Sequence, residues 1–409
     1  MELAMASTIS IHVGGTGIRL GQRLWDVIFA DHGVSASGSV TGQSVGSGSG
    51  FLAKTGTRFV PRAIVADSDT DAIGALSSWS HRSLLKPDNI VFGSASCANN
   101  FATGYLHRTS LRDDVLTRVN ATVASVSDDN PTFLLTHSLA GGTGGGLTAA
   151  LVQELRSQHP GSTIVCCGVL RDKSLSSIAV APYNEVFALD KIHQFADLVV
   201  VLDNAALTAS VTAKFGQVAS NYTGHNQLAA RALGLLTSAN RLPVRESLGF
   251  RQLARTLTPF TDLKLVGLAM GTWGSSASSD LVAGLQTGHN RISGIRVSGN
   301  KLLSPMFITS KRRKLSATEF RSDSRLRIPS WYPPAVPVVE TRSTDASSLL
   351  VENNTGVHHR LTALVTEFDR MFKRKAFLHY YKGKGLSELM MAQARKNVFD
   401  LAKGFKDAG

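Results

Sequence analysis

The sequence predicts an α/β fold in which a parallel sheet carries helices on both faces. Over the first 205 residues, short apolar runs that read as strands alternate with helical stretches, which is typical of a parallel sheet. These runs lead into glycine-rich or polar turns. In such sheets the turns gather beyond the carboxyl ends of the strands, where ligands bind.

The elements of this first part follow in chain order. ISIHV (9–13) reads as a strand, and residues 14–33 read as a helix because their apolar residues recur at helical spacing. Further strand-like runs are RAIVAD (62–67), FLLTH (133–137), TIVCCGVL (163–170) and DLVVVLD (197–203). Residues 226–240 form a helix whose leucines and alanines cover more than one face, so we expect it to be buried.

The later elements complete the predicted architecture. LVGLAM (265–270) and the segment to about residue 357 indicate a smaller mixed α/β domain. Residues 360–381 read as a helix, followed by a GKG turn and a second helix over 387–405. The predicted fold is therefore a parallel-sheet domain, a long central helix, a smaller mixed α/β intermediate domain and a C-terminal helical pair.

Bulk composition limits the function classes. A chain of 409 residues, with 43% hydrophobic and 18% charged residues, is expected to form two or three globular domains. No apolar run reaches the roughly 18 residues of a membrane span, and the N-terminus lacks a secretory pattern, so no membrane association is expected. Cys97, Cys166 and Cys167 show no metal-ligand spacing. A reducing compartment, by default the cytoplasm, is predicted.

Positive charge is concentrated in the last part of the chain. The formal net charge is +13, and residues 296–409 hold 21 Lys and Arg against 10 Asp and Glu. Clusters occur at KRRK (311–314) and KRK (373–375). This surface is either simply solvated or binds an acidic partner. Few aromatics accompany the cluster at 311–314, so nucleic acid is disfavoured and an acidic protein surface is the preferred partner.

The segment THSLAGGTGGGL (136–147) predicts a phosphate site. Five of the six positions 141–146 are glycine, and the loop lies between a strand and a helix marked by Leu147, Leu151 and Leu155. Glycine lets backbone amides approach a ligand, and the N-terminus of a helix favours an anion. Thr143 can add a hydroxyl donor. The alternative is a tight turn without a ligand.

The type of phosphate loop is narrowed by what the sequence lacks. No Lys-Ser or Lys-Thr pair ends the loop, so it is not the GxxxxGK[ST] type. GTGIRLG (15–21) resembles a dinucleotide fingerprint and leaves an NADP-dependent oxidoreductase as a remote alternative. That motif does not explain a second, richer glycine loop more than 120 residues later.

Several motifs together resemble the tubulin family. THSLAGGTGGGL is similar to the tubulin signature loop, and residues 11–34 are similar to the tubulin N-terminus. RAIVADSD, VFGSASCANNFATGY, PYN (182–184), DNAAL (203–207), NYTGHNQL (221–228), PF (259–260) and RMFKRKAFLHYYKGKGLSE (370–388) follow in tubulin order. The last motif favours the eukaryotic tubulins over the bacterial branch.

The resemblance implies a site for GTP or GDP with Mg²⁺. Ser138, Gly142, Thr143 and Gly144 would hold its phosphates, and Asp67 and Asn100 belong to the neighbouring phosphate loops. The other nucleotide-binding residues of this part would be Gly15, Thr16, Arg19, Gly141 and Gly145. Asn204 and Asn226 would read the guanine edge, Tyr222 would stack on the ring, and Asp69 would lie near the metal. Tubulins usually have glutamines where Gly15 and Arg19 stand; Arg19 could contact phosphate or face solvent.

The resemblance also identifies an interface loop that completes the active site of a neighbouring subunit. Its acidic positions correspond to Gly249 and Gln252 here. Neither side chain can orient or deprotonate water as a carboxylate does, so weak activation of the neighbour's hydrolysis is expected. At most, the chain would be a weak polymer-dependent GTPase.

The resemblance implies four regions. These are a GTP-binding domain (1–205), a central helix with its connecting loop (206–245), an intermediate domain (246–357) and C-terminal helices (358–409). The basic carboxyl end favours a divergent tubulin of the delta, epsilon or zeta kind, associated with microtubules, centrioles or basal bodies. Other tubulin subunits would be its longitudinal partners. A prokaryotic tubulin-like filament-forming GTPase is the alternative.

Overall fold

The computed structural model describes residues 6–40, 50–216, 222–242, 248–271, 291–295, 300–310, 327–333, 336–344 and 347–408. The basic cluster at 311–314 lies outside these ranges. Among the described residues, twelve strands occur: β1 (Thr8–Val13), β2 (Leu52–Thr55), β3 (Arg58–Pro61), β4 (Ala63–Asp67), β5 (Ile90–Phe92), β6 (Thr132–Ser138), β7 (Ile164–Leu170), β8 (Leu198–Asp203), β9 (Leu265–Met270), β10 (Leu302–Ser310), β11 (Val338–Thr341) and β12 (Ser348–Asn354).

The α-helices of the same ranges surround the sheet. They are α1 (Gly14–His32), α2 (Asp71–Gly74), α3 (Phe101–Leu106), α4 (Thr109–Val123), α5 (Thr148–Gln158), α6 (Ala181–Phe195), α7 (Asn204–Phe215), α8 (Thr223–Arg241), α9 (Phe250–Leu257), α10 (Val357–Lys373), α11 (Leu378–Lys382) and α12 (Glu388–Asp407). None of these described helices combines the length and apolar character needed to cross a bilayer.

The predicted α/β fold is confirmed. Ten of the described strands form one sheet in the order β11-β10-β12-β9-β8-β7-β6-β1-β4-β5. The pairs from β9 to β5 are all parallel. Val13 of β1 aligns with His137 of β6 and with Ala66 of β4. The carboxyl ends of these three strands therefore lie side by side.

The strands after residue 246 extend the same sheet. β9 pairs in parallel with β8 through Val199 and Leu265, and β12 then pairs antiparallel with β9. All six residues of β9 are buried, because helices and loops cover both of its faces. The segment predicted as an intermediate domain is thus joined to the first part by continuous strand pairing.

The apolar central helix is α8, and its second half is buried. It packs against α1 and against strands β10, β11 and β12. A Cβ on Gly234 would lie 2.5 Å from Val27 of α1, so the missing side chain allows close helix contact. At its end, Arg241 forms an ion pair with Asp31 in which both side chains are fully buried.

The C-terminal helices pack on the first part through an aromatic cluster. Tyr183 of α6 makes edge contacts with Phe368 of α10 and Tyr381 of α11 at ring distances of 4.9 and 5.5 Å. The helix predicted over 360–381 is interrupted, because Lys375 and Phe377 have positive φ values of 51° and 57°. This break turns the chain so that Leu378 and Tyr381 are buried.

Candidate nucleotide-binding site

A cavity of about 290 Å³ lies at the carboxyl edge of the parallel strands. It is bounded by the ends of β1, β4 and β6 and by the loops that follow them. Ten predicted site residues line it: Gly15, Thr16, Arg19, Asp67, Asp69, Ser138, Gly141, Gly142, Thr143 and Gly144. Further lining comes from residues that the sequence did not single out, namely Asp71, Ser96, Ala98 and Asn99 among others.

The glycine loop opens a helix with an unusual first turn. Residues Gly142–Leu147 form a π-helical turn that continues into α5. The amide of Gly145 donates to the carbonyl of Gly141 at 3.1 Å. The amides of Gly142, Thr143 and Gly144 come earlier in the chain than the donor of this bond and lie at the start of the helix. Amides at the start of a helix lack intrahelical acceptors and are suited to bind an anion.

The glycines of this loop serve two different purposes. A Cβ on Gly146 would lie 2.2 Å from the carbonyl of Phe101, and one on Gly142 would lie 2.7 Å from the amide of Asn100. These two glycines are required by packing against the start of α3. A Cβ on Gly141 would meet nothing within 4 Å, which leaves open space beside the cavity. The sequence had assigned the whole run to ligand approach.

The wall of the cavity next to β4 is acidic. Burial, with a smaller contribution from the charge of Asp69, raises the pKa of Asp67 to about 6. The amide of Ser68 donates to Asp67 at 2.7 Å, and the hydroxyl of Ser68 lies 2.6 Å from that of Thr143. The loop after β4 is therefore hydrogen-bonded to the glycine loop. A cation near Asp67 would favour its ionised form.

The acidic wall could supply some of the ligands of a hard cation, with a bound phosphate supplying others. Among the described residues, no group of three or more His, Cys, Asp and Glu side chains could hold a metal ion unaided. Mg²⁺ commonly keeps several waters and is bound by one or two carboxylates together with phosphate oxygens. Asp69, with an intermediate exposure at the cavity wall, fits such a partial ligand.

Two predicted nucleotide-binding residues, Asn100 and Gly145, are not among the residues that line the cavity. Asn100 is buried, and its side chain accepts from the amide of Thr103 at 3.3 Å and donates to the carbonyl of Tyr380 at 2.9 Å. Gly145 is also buried, and a Cβ there would lie 2.9 Å from the carbonyl of Leu139. The Asn100 side chain thus caps α3 and anchors it to α11, a role that the sequence did not indicate.

The three predicted base-binding residues form a second group at the starts of α7 and α8. The hydroxyl of Thr208 donates to the carbonyl of Asn204 at 2.7 Å and lies 2.9 Å from Nε2 of His225. The ring of Tyr222 contacts that of His225 at 5.1 Å, and the amide of Asn226 donates to the carbonyl of Tyr222 at 2.9 Å. Within the described ranges, none of the three lines the phosphate cavity.

Comparison with known proteins identifies the family. The model of the Tubulin/FtsZ family, GTPase domain, matches residues 7–212, which is just over half of the chain. The chain belongs to the tubulin/FtsZ family. It is 28% identical to the tubulin beta-1 chain of Colletotrichum graminicola, over 99% of this chain and 96% of that protein. It is also 28% identical to the tubulin beta chain of Aspergillus fumigatus, and 27% to that of Porphyra purpurea.

The predicted tubulin superfamily and its GTP-binding, cytoskeletal character are therefore confirmed. The matched region contains the loops around the cavity and Asn204 at the start of α7, whereas Tyr222 and Asn226 lie beyond it. The residue roles and the metal stay predictions.

The described residues of the predicted interface loop, Gly249 and Gln252, lie at the opposite end of the parallel strands from the nucleotide cavity. The side chain of Asn240, near the end of α8, donates to the hydroxyl of Thr8 at the start of β1 at 3.1 Å. Gly249 follows close by, since a Cβ there would lie 3.9 Å from Asn240. Gln252 is exposed on α9. The 19 residues of α8 span about 28 Å between the two ends.

Proposed function

We propose that the chain binds GTP with Mg²⁺ across the cavity and the adjoining group at α7 and α8. The supporting observation is the cluster of glycine-loop amides, the hydroxyl of Thr143 and the acidic loop after β4 within one cavity. The amides of Gly142–Gly144, with Ser138 and Arg19, would hold the phosphates, and Asp69 would orient the hydrated Mg²⁺. Asn204, Asn226 and Tyr222 would bind the guanine.

This proposal is tested by titrating the purified chain with a fluorescent GTP analogue, with and without Mg²⁺. We expect saturable binding that Mg²⁺ strengthens, and Asp69→Asn should remove most of the Mg²⁺ effect while keeping the fold. The exposed Asp88→Asn is the matched control. No saturable uptake would refute the assignment. Retention of NADPH but not GTP would instead select the oxidoreductase alternative.

We further propose head-to-tail association with other tubulin-family subunits. The nucleotide cavity and the Gly249–Gln252 segment at the start of α9 lie at opposite ends of the parallel strands, so this segment of one subunit could cover the cavity of the next. Contacts between two different surfaces of this kind repeat along a filament unless the rotation closes a ring.

Such a contact would activate hydrolysis poorly. Residues 248–261 contain no carboxylate, and Gly249 has no side chain to position water. We expect Gln252→Glu to raise polymer-stimulated GTPase activity, with the exposed Arg255→Gln as a control for general surface effects. If polymer forms and Gln252→Glu leaves its GTPase rate unchanged, this account of the loop is wrong.

The proposed cellular role is that of a specialised isotype of the delta, epsilon or zeta kind, in the cytoplasmic cytoskeleton at centrioles or basal bodies. The basic C-terminal surface supports association with an acidic partner such as a microtubule. Exposed cations for which the described residues show no ion pair include Lys373, Lys403 and Lys406 on α10 and α12, and Lys375 and Lys384 in the turns on either side of α11.

Two experiments test this role. Co-sedimentation with microtubules should weaken as salt rises, because added ions screen exposed charges; salt-independent binding would contradict the acidic-partner proposal. A tagged chain in a ciliated cell should localise to centrioles or basal bodies. Diffuse localisation together with robust self-assembly of the pure chain in GTP would favour the prokaryotic filament alternative.

A further inference from the structure

Two adjacent tyrosines of α11 reach the loops that form the phosphate cavity. The hydroxyl of Tyr380 donates to the carbonyl of Ala98, and the backbone carbonyl of Tyr380 accepts from the side chain of Asn100 at 2.9 Å. The hydroxyl of Tyr381 donates to Oδ1 of Asn184 at 2.6 Å. Tyr381 and Asn184 are completely buried. The C-terminal helices thus contact the loop after β5 directly and through Asn184.

Asn184 connects both phosphate loops. Its Nδ2 donates to the carbonyl of Asn99 in the loop after β5 and to that of Ala140 in the glycine loop, each at 2.7 Å. Its Oδ1 accepts from the amide of Phe101 at 3.1 Å and from Tyr381. These four bonds use both donors and both acceptor positions of the amide group. The Tyr381 hydroxyl therefore helps to fix the orientation of the group that holds the two loops together.

Strain in the same loop explains why such support is needed. Ala98 and Asn99 both line the cavity and have positive φ values of 47° and 56°. Two consecutive residues with side chains rarely adopt this conformation, and it persists where surrounding contacts impose it. Here the contacts are those of Tyr380 to Ala98 and of Asn184 to Asn99.

We infer that Tyr381 is a positioning residue that sets the nucleotide loops through Asn184, so that nucleotide binding and the conformation of α11 are coupled. This rests on the proposed binding of GTP in the cavity. Coupling between two sites is reciprocal: if the α11 contact strengthens nucleotide binding, bound nucleotide must stabilise the α11 contact to the same extent.

Tyr381→Phe tests the inference, with Tyr183→Phe as its matched control. Both tyrosines are fully buried in the same aromatic cluster, but the hydroxyl of Tyr183 donates to the carbonyl of Ala376 at 3.0 Å instead of to Asn184. Each variant loses one buried hydroxyl and keeps its ring, so the two should lose similar thermal stability. We expect Tyr381→Phe to weaken binding of the fluorescent GTP analogue by about 3- to 10-fold. Tyr183→Phe should bind as the wild type does.

Hydrogen exchange provides a second readout that a purely structural role would not change. Adding the GTP analogue should slow amide exchange in residues 378–382 of the wild type and of Tyr183→Phe, and this protection should shrink in Tyr381→Phe. The inference would be overturned if the two variants bound the GTP analogue with equal affinity, or if the analogue did not change amide exchange in α11. Either result would leave the proposed GTP binding intact. A wild-type chain that takes up no GTP analogue would instead remove the proposed function and the coupling with it.

Discussion

Glu352 is a buried carboxyl whose ionisation should make the stability of the chain depend on pH. It lies in β12 opposite Gly267 of β9 and is only 1% exposed. Its Oε2 has no hydrogen-bond partner among the described residues. Burial raises the pKa of Glu352 from 4.5 to about 7, and the charge of Arg291 offsets only part of that effect.

The size of the effect follows from this pKa difference. The difference between 4.5 and about 7 corresponds to roughly 3 kcal/mol. The folded state binds the proton of Glu352 more tightly than the unfolded state does. Protonation of Glu352 therefore contributes to the free energy of unfolding in full below about pH 4.5, and this contribution is lost as the pH rises to about 7. Glu352→Gln imitates the protonated form. The variant should match the wild type at pH 4.5 and be more stable above pH 7.

Equilibrium denaturation at pH 4.5, 6 and 8 measures this difference, with the exposed Glu340→Gln as a control. At pH 8 we expect Glu352→Gln to raise the free energy of unfolding by roughly 3 kcal/mol, or the Tm by about 3 °C in a single transition. If the free energies of unfolding of Glu352→Gln and the wild type differ by the same amount at all three pH values, ionisation of Glu352 does not cause the pH dependence of stability.

Three further predictions follow from the packing. Gly142→Ala should lower the Tm, because its Cβ would lie under 3 Å from the loop after β5. Gly141→Ala should keep the Tm and weaken nucleotide binding. An equal Tm loss in both variants would contradict the different roles given to these two glycines. Asp31→Asn should cost about 3–5 kcal/mol in denaturant unfolding, since it leaves the Arg241 guanidinium buried without its counter-charge; a loss under 1 kcal/mol would refute the role of this pair. Ala98→Gly should raise the free energy of unfolding by up to about 1 kcal/mol by relieving positive φ, and destabilisation would show that the strain is absent.

Local sequence patterns were sufficient for the fold class and for the position of the phosphate loop. Strand and helix periodicity depends on neighbouring residues, and glycine at a junction between strand and helix reflects a local backbone requirement. The buried strands β1, β6, β7 and β8 and the start of α5 all lie within a few residues of where the sequence places them.

Contacts between distant segments were decided only by the tertiary structure. The sequence placed Asn100 in a phosphate loop, but only the fold shows that its side chain donates to the carbonyl of Tyr380, 280 residues away. It likewise could not distinguish Gly141, which borders open space, from Gly142, which packs against α3. The physical reason is that a side chain's partners depend on which surfaces meet after folding, whereas periodicity and turn chemistry are set by the chain's nearest neighbours.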